Sequence, residues 1–519
     1  MMSINMVSRL GRGHHKSNHK PEKFFCRVDM EAKACNKGFC SNYLLLNPKQ
    51  ATFIDIFRLL FSSDLKNRKF IDSSHETQEN IWYRLLIFVS ILVQYLLQLV
   101  SKPLAWIGSS IETLINLLSS NDGFFGLIMN IIRGILNLHR LNENVVHSTG
   151  KVVIPDRNSA TFTSFIGNGD LRMELDIKIK HGDSKYYPAL AMMASKAAYN
   201  NRGYTETIVE DHWEMEHLGF FDYWNDYMEK ATTQAFLFRD RSGDHDTIVV
   251  TFRGTEPFNA DDWCSDFDIS WYEIPDVGKI HSGFMKALGL QKNLGWPKKV
   301  VPETNSKQAL AYYHLRETLR DLLNKNDGAK FIVTGHSLGG ALAILFPAVL
   351  FFHDEKLLLE RLEGVYTFGQ PRVGDEMFGN FMEKNLKRHG IQYFRFVYCN
   401  DIVPRVPFDN KNLLFKHFGS CVYYNRRYEG EVVEEEPNKN YFSIWSVFPM
   451  TLNAVQELIR SFTIVKKEGP DYREGWLTIF FRIIGLVVPG VPAHLPQDYV
   501  NSTRLGSPDA FLPQRRKNQ

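Results

Sequence analysis

Apolar positions run almost without interruption over residues 81–138. Five charged residues occur in those 58: Arg84, Lys102, Glu112, Asp122 and Arg133. Leu85–Ser101 is 17 residues with no charge, and as a helix it would span about 25 Å, near the lower limit for crossing a bilayer. Its polar members Ser90, Gln94 and Gln98 are four apart, which puts them on one helical stripe. Pro103 is expected to end that helix. Two further apolar stretches follow, Leu104–Leu118 and Phe124–Leu136, separated by Asn121-Asp122 and Gly123. Three short apolar helices with one polar stripe suit insertion into a lipid surface, or a hairpin in one leaflet. A spanning helix and a buried helical subdomain are the competing readings. A lipid droplet, a monolayer over oil with no second aqueous side, fits a short hairpin best.

From about residue 185 the pattern changes to alternating strand and helix signals. Thr247–Phe252, Phe331–Thr334, Val365–Phe368 and Tyr393–Tyr398 are short β-branched or apolar runs, and Gln308–Asn324, Leu338–Phe352 and Asp375–Lys387 have helical spacing. This alternation predicts an α/β fold with a mostly parallel central sheet. The chain is thus divided into a basic arm and leader over 1–80, a hydrophobic helical anchor over 81–138 and a linker over 139–184. An α/β domain over 185–505, with an insert at about 425–490, and a basic tail over 506–519 complete it. The arm carries Arg9, Arg12, Lys16 and Lys20 before its first acid, Glu22, and no apolar core follows it directly, so a secretory signal is not expected.

Composition narrows the function. The 519 residues carry 61 Lys+Arg against 58 Asp+Glu, a net +3, too balanced for nucleic-acid binding by bulk charge. A mean hydropathy of −0.25 excludes a polytopic transporter but not one local membrane-seeking segment. Six cysteines (26, 35, 40, 264, 399, 421) are too sparse for a disulfide scaffold. They are read as reduced thiols in a cytosol-facing protein.

The chemistry centres on Gly335-His336-Ser337-Leu338-Gly339, followed by Gly340. This is a G-x-S-x-G nucleophile elbow, and it stands between a strand and an apolar helix, as the motif requires. The glycines let strand and helix pack around a tight turn that lifts the serine hydroxyl clear of the sheet. A serine nucleophile needs a base, and the base an orienting carboxylate. In this fold class the order is Ser, acid, His. After position 401 only His417 and His494 remain. His494 is favoured, and His417 is the alternative as a hydrogen-bonded structural histidine. Among the aspartates, Asp354 ends a helix and Asp375 reads as a helix cap. Asp401 follows the Tyr393–Tyr398 strand and is favoured, with Asp409 in reserve. One oxyanion-hole N–H would come from Leu338. The best candidate for the second is Thr255, in the turn after Thr247–Phe252.

Together the stretches TFRGTEPFNADDW (251–263), KIHSGF (279–284), VTGHSLGGALA (333–343), YTFGQPRVGD (366–375) and NDIVPRVP (400–407) resemble the class 3, fungal-type triacylglycerol lipases. The apolar N-terminal segment resembles the plant oil-body form of that family. The resemblance implies an α/β-hydrolase fold, with Ser337 as nucleophile, Asp401 as acid, His494 (in HLPQDY) as base and Thr255 in the oxyanion hole. It also implies a lid over about Glu256–Trp263, with Phe258 and Trp263 as its apolar surface. No metal or organic cofactor is implied. Between Asp401 and His494 lie 92 residues, more than a compact fungal lipase needs. The insert carries acids at Glu429, Glu431, Glu434, Glu435 and Glu436 and apolar stretches Phe442–Leu452 and Trp476–Val488. It is read as a second lipid-contacting surface or a homo-oligomer interface. The expected activity is hydrolysis of triacylglycerol, and of di- and monoacylglycerol, at a cytosol-facing lipid-droplet surface or the endoplasmic reticulum membrane. The alternatives are a phospholipase A1 or galactolipase and, third, an inactive droplet protein.

Overall fold

The computed structural model describes residues 39–61, 68–74, 81–140, 152–154, 156–243, 246–292, 294–300, 308–407, 415–439, 441 and 444–507. The basic arm with Arg9, Arg12, Lys16 and Lys20, the thiols Cys26 and Cys35, the reserve acid Asp409 and most of the 506–519 tail lie outside the described residues.

The chain opens with β1 (Asn42–Leu46), α1 (Phe53–Phe61) and β2 (Ile71–Ser73), then two apolar helices, α2 (Ile81–Ser119) and α3 (Gly123–Arg140). Helices α4 (Tyr186–Ala197) and α5 (Arg202–Thr207) precede the strands β3 (Glu216–Asn225), β4 (Lys230–Asp240) and β5 (Thr247–Phe252). There follow α6 (Ala260–Phe267), β6 (Trp271–Ile274), β7 (Gly278–His281), α7 (Ser282–Leu288) and α8 (Ala311–Asn324). The central crossovers are β8 (Lys330–His336), α9 (Leu338–His353), α10 (Lys356–Arg361), β9 (Leu362–Phe368), β10 (Gly374–Asp375), α11 (Glu376–His389) and β11 (Gln392–Tyr398). Strands β12 (Phe415–Lys416), β13 (Ser420–Tyr424) and β14 (Gly430–Val433) lead to α12 (Ile444–Glu468), α13 (Trp476–Gly485) and α14 (Pro496–Leu505).

Among the described residues the main sheet has the order β14-β13-β11-β9-β8-β5-β4-β3. The five strands from β13 to β5 are mutually parallel, and antiparallel strands close both edges. Every residue of β5 is buried. A continuous Val/Ile/Thr run of that kind belongs to a central strand covered on both faces. Helix α9 is buried at every position but Phe352, so it packs as a core helix rather than an amphipathic one. With strand ends aligned, the loops after β5, β8 and β11 emerge along one edge of the sheet, where α/β folds collect their functional groups. This is the α/β-hydrolase arrangement that the resemblance implied.

Two expectations change. First, Pro103 does not end a helix: α2 runs unbroken for 39 residues, about 58 Å. Proline inside a helix costs about 3 kcal/mol, and packing on both sides of it offsets that. Before it, Tyr83, Ile87, Phe88 and Ile91 pack with α1, β1 and β2. After it, Gly108 lies directly against Phe258, and Ile111 and Ile115 join a cluster with Phe165, Leu477 and Phe481. Second, the region read as a leader supplies two strands to a smaller antiparallel sheet, β12-β10-β7-β6-β1-β2, with β1 pairing β6. In that register Tyr43 and Leu44 are buried core residues.

The insert is tied to the segment that carries His494. Arg482 of α13 donates to both carboxylate oxygens of Asp498, at 2.6 and 2.8 Å, and also to Glu474 at 3.0 Å and Glu457 at 3.4 Å. Arg460 of α12 adds a bond to Asp498 at 2.8 Å. Asp498 lies on α14, four positions after His494. All of Arg482, Asp498, Glu474 and Glu457 are buried, and removing the cation of such a group strands charge in a low dielectric. Arg482→Met is therefore expected to destabilise the chain by about 3–5 kcal/mol, measured by urea unfolding. A loss under 1 kcal/mol would show that the network is not what fixes the insert.

Candidate active site

The turn after β8 brings the nucleophile candidate out of the sheet. Ser337 has φ 60° and ψ −130°, a strained conformation for a side chain with a Cβ. The turn closes because its flanks lack side chains: a Cβ on Gly335 would stand 2.2 Å from the Gly339 carbonyl oxygen, and one on Gly339 2.4 Å from that of Phe252. The Ser337 N–H donates to Phe368 O at 2.9 Å, fixing the turn to β9. Leu338 is the first residue of α9, so its N–H sits at a helix N-terminus, where developing negative charge is favoured.

His494 meets this serine from the other end of the chain. Its Nε2 is 2.8 Å from Ser337 Oγ, and its Nδ1 is 2.8 Å from Asp401 Oδ2. Asp401 is fully buried in the loop after β11. Its Oδ1 accepts the Val403 N–H at 2.9 Å, and its Oδ2 accepts the Tyr499 hydroxyl at 2.5 Å as well as the imidazole. Both oxygens are thus held, which sets the carboxylate plane against the ring. Gly369, at φ 57°, lets the β9 end pass this pair: a Cβ there would lie 2.9 Å from both Asp401 Oδ2 and the His494 ring.

Three residues support the site without having been singled out from sequence. Tyr499 donates to Asp401 and accepts from the Tyr398 N–H at 3.3 Å. His336 stacks on His494, with centroids 4.6 Å apart, and its Nε2–H donates to the His494 carbonyl at 2.9 Å. That leaves Nδ1 to accept the Tyr199 hydroxyl at 2.8 Å. The assignment needs a neutral ring, and burial, followed by the neighbouring His494, pushes His336 well below its ordinary value. The available signal was adjacency: His336 precedes the serine, and Tyr499 lies five positions beyond His494.

The alternative base is elsewhere. The His417 side chain is buried, with Nε2 2.7 Å from the Pro404 carbonyl and 3.9 Å from Glu436, and burial pushes it well below its ordinary value. Asp375 caps α11, accepting the Phe378 N–H at 2.9 Å.

The turn after β5 abuts the elbow: the backbone of Phe252 and Arg253 lies against Gly339, and Gly254 against the His336 carbonyl. Thr255 follows, buried, its hydroxyl donating to Asp266 Oδ2 at 2.7 Å. The expected lid segment continues into α6, capped by Asn259. Phe258 does not face open solvent. It packs on Gly108 of α2 and edge-on to Phe165, centroids 5.0 Å apart. The Trp263 indole N–H donates to Pro257 O at 3.0 Å, and its ring stacks on Phe267. The polar stripe of α2 turns towards the same element. Ser90 Oγ donates to Phe267 O at 2.7 Å, and Gln94 donates to Ser90 at 3.1 Å, both residues buried. A cavity of about 340 Å³ lies between α2 and this loop, lined by Gly108, Glu112, Phe165, Tyr199, Glu256 and Phe258 among others.

Within the loop, Asp262 accepts the Glu256 N–H at 3.1 Å. Burial pushes its carboxyl up to about 6, against the opposing pull of Arg253. A carboxyl raised in the folded chain holds its proton longer than in the unfolded one, so its contribution to stability falls as pH rises from near 4 through about 6. Asp262→Asn, which keeps an acceptor but cannot ionise, is expected to match the parent in Tm at pH 4 and exceed it at pH 8. Equal Tm values at pH 8 would refute the shift.

The family description "Lipase (class 3)" matches residues 249–411. The Arabidopsis thaliana protein named triacylglycerol lipase OBL1 is 42% identical over 524 residues, covering 92% of this chain and 97% of the relative. The Ricinus communis protein of the same name is 38% identical, covering 90% and 95%. Among solved structures, the native Rhizomucor miehei lipase propeptide complex is similar at 25% identity over 52% of this chain and 84% of that one, with a TM-score of 0.34.

Proposed function

The chain belongs to the class 3 lipases, and from that premise we propose that it hydrolyses triacylglycerol at the surface of a lipid droplet, with Ser337, His494 and Asp401 as its catalytic triad. The observation that carries the reading is the continuous hydrogen-bonded run from Ser337 Oγ through His494 to Asp401 Oδ2.

Ser337 Oγ attacks the ester carbonyl carbon while His494 Nε2 takes its proton. The carbonyl oxygen gains the charge, and the Leu338 and Thr255 N–H groups bind it. Collapse breaks the ester C–O bond, and His494 returns the proton to the departing glycerol oxygen. Water, deprotonated by the same ring, then attacks the acyl-enzyme; the acyl–Oγ bond breaks, His494 returns the proton to Ser337 Oγ, and the fatty acid leaves. Asp401 keeps the imidazole in the tautomer with its proton on Nδ1 and stabilises its cation.

Placement at lipid rests on α2 and α3. Helix α2 has a mean hydropathy of 1.9 over its most apolar 18 residues. Its outward positions include Leu99 and Trp106, and α3 adds Phe124 and Phe125, all exposed. Because one side of α2 is packed on the body, an in-plane position in a monolayer suits it better than a crossing. Phe258 and Trp263 would then form the apolar face of a lid that opens at that surface.

The test is purified full-length protein assayed on triolein, phosphatidylcholine and a galactolipid as matched emulsions. Triolein is expected to be cleaved fastest. Cleavage of phospholipid or galactolipid alone would overturn the substrate assignment.

A further inference from the structure

Helix α12, in the insert, is amphipathic in the inverted sense. Trp445, Phe448, Leu452, Val455, Ile459 and Phe462 recur at alternating spacings of three and four, which is one helical stripe. That stripe is exposed, with Trp445 91% and Phe448 79% accessible. The opposite stripe is buried and is the more polar one: Ser446, Met450, Ala454, Glu457, Ser461 and Ile464. A soluble amphipathic helix does the reverse. Outward apolar and inward ionisable residues are the pattern of helices whose outer solvent is hydrocarbon.

The charges agree. From Ile444 to Val465 the charged residues are Glu457 and Arg460. Glu457 bonds Tyr398 and Arg482, and Arg460 bonds Tyr398 and Asp498, all inward. The stripe from Trp445 to Phe462 is about 25 Å long and presents no ion to its partner. Lys466 and Lys467 follow at its end, exposed, where they can meet phosphate headgroups.

The face is continuous with a second apolar one. Helix α13, packed against α12, exposes Trp476, Phe480, Ile483 and the following Val487. From its inner side, Leu477 and Phe481 meet Ile111 and Ile115 of α2 and Phe258 of the lid segment. Helix α2 likewise turns apolar residues outward, with Leu99 and Trp106 exposed, while its buried side mixes Ser90, Gln94 and Asn116 with Ile87, Ile91 and Ile115.

We propose that the outward faces of α12 and α13 form a second lipid-docking surface, which meets a phospholipid monolayer beside α2 and α3 around the candidate active site. The proposal rests on the reading of that site as a lipase working at a lipid surface.

The experiment uses full-length protein and triolein droplets coated with phosphatidylcholine. Four changes, Trp445→Ser, Phe448→Ser, Ile459→Ser and Phe462→Ser, are made together. Flotation is expected to recover the variant on droplets about tenfold less well than the parent, and triolein hydrolysis should fall in step. The rate on water-dissolved p-nitrophenyl acetate should stay the same, reporting an intact fold. A gentler second reading is quenching by dibrominated phosphatidylcholine in the monolayer: Trp445→Phe should lose a share of the parent's fluorescence quenching. Unchanged flotation, or equal quenching in parent and Trp445→Phe, overturns the docking surface. So does a parent that sediments as a dimer without lipid when the variant is a monomer that floats equally well, since the face would then bind a second copy. A parent that cleaves triolein while the variant floats normally refutes this surface and leaves the lipase reading standing. Reduced flotation with no triolein cleavage by the parent supports the surface and refutes the reading.

Discussion

Ser337→Ala should lower kcat on triolein by about 10⁶-fold, the loss typical when a serine hydrolase is stripped of its nucleophile. The substitution removes one buried hydroxyl from a turn that stays closed through the Ser337 N–H bond to Phe368, so Tm and droplet binding should barely move. His494→Ala should cost as much, and the double variant little more, because nucleophile and base act as a unit. The contrast is His417→Ala. His417 bonds the Pro404 carbonyl and faces Glu436, so its loss should appear in Tm rather than in kcat at a temperature where the variant is folded. Substantial triolein turnover by folded Ser337→Ala, above roughly one part in 10³ of the parent, would refute the nucleophile. A folded but inactive His417→Ala with an active His494→Ala would transfer the base assignment.

The second large effect is expected from Asp401→Asn, a drop of about 10⁴ in kcat. The reason is the proton on Nδ1. Asp401 Oδ2 sits 2.8 Å from that nitrogen and can only accept. An asparagine can turn its NH₂ to the ring, which then carries its proton on Nε2 and cannot take one from Ser337. Tyr499→Phe separates orientation from charge. It removes the hydroxyl that donates to Asp401 Oδ2 at 2.5 Å but leaves the carboxylate. A loss of roughly tenfold in kcat is expected, with a shift in the pH–rate profile and KM unchanged. An Asp401→Asn variant within tenfold of the parent would mean that another group orients the imidazole.

The central sheet was legible because its signals are local. Thr247–Phe252 and the FIVT run before Gly335 are buried on both faces, and their β-branched residues state that directly. The elbow was legible in part for the same reason: Gly335 is demanded by Gly339, four residues on, although the demand on Gly339 comes from Phe252 on another strand. The order of the chain and the family resemblance singled out His494 and Asp401, and the structure holds His494 within hydrogen-bond reach of Ser337 and Asp401 within reach of the other ring nitrogen. What could not be read was contact between remote segments. Ser90 and Gln94 stood out as part of a polar stripe, but what it faces was hidden: Ser90 bonds Phe267, 177 positions away. Pro103 signalled a break because nothing local shows that α1 and β1 hold the helix on one side and Phe258 on the other. Strand β1 looked like leader because its partner β6 is more than 220 residues downstream. The inversion of α12 was hidden too. A stripe of apolar residues at helical spacing reads the same whether it points inwards or out, until the burial of Glu457 and Ser461 decides it.

The way α2 is seated governs how a water-soluble version of the enzyme can be made. Cutting the chain before residue 139 removes more than an attachment. It takes β1 and β2 from the smaller sheet, the partner of Phe258, and one wall of the 340 Å³ cavity. Such a truncation would strip Phe258 of its contact with Gly108 and leave it only its neighbours Phe165 and Phe481. The engineering route is to keep α2 and α3 and repaint their outer sides, replacing Leu99, Trp106, Phe124 and Phe125 with charged or polar residues. A crystallographer, or a process chemist seeking a detergent-free catalyst, should start from that redecorated chain.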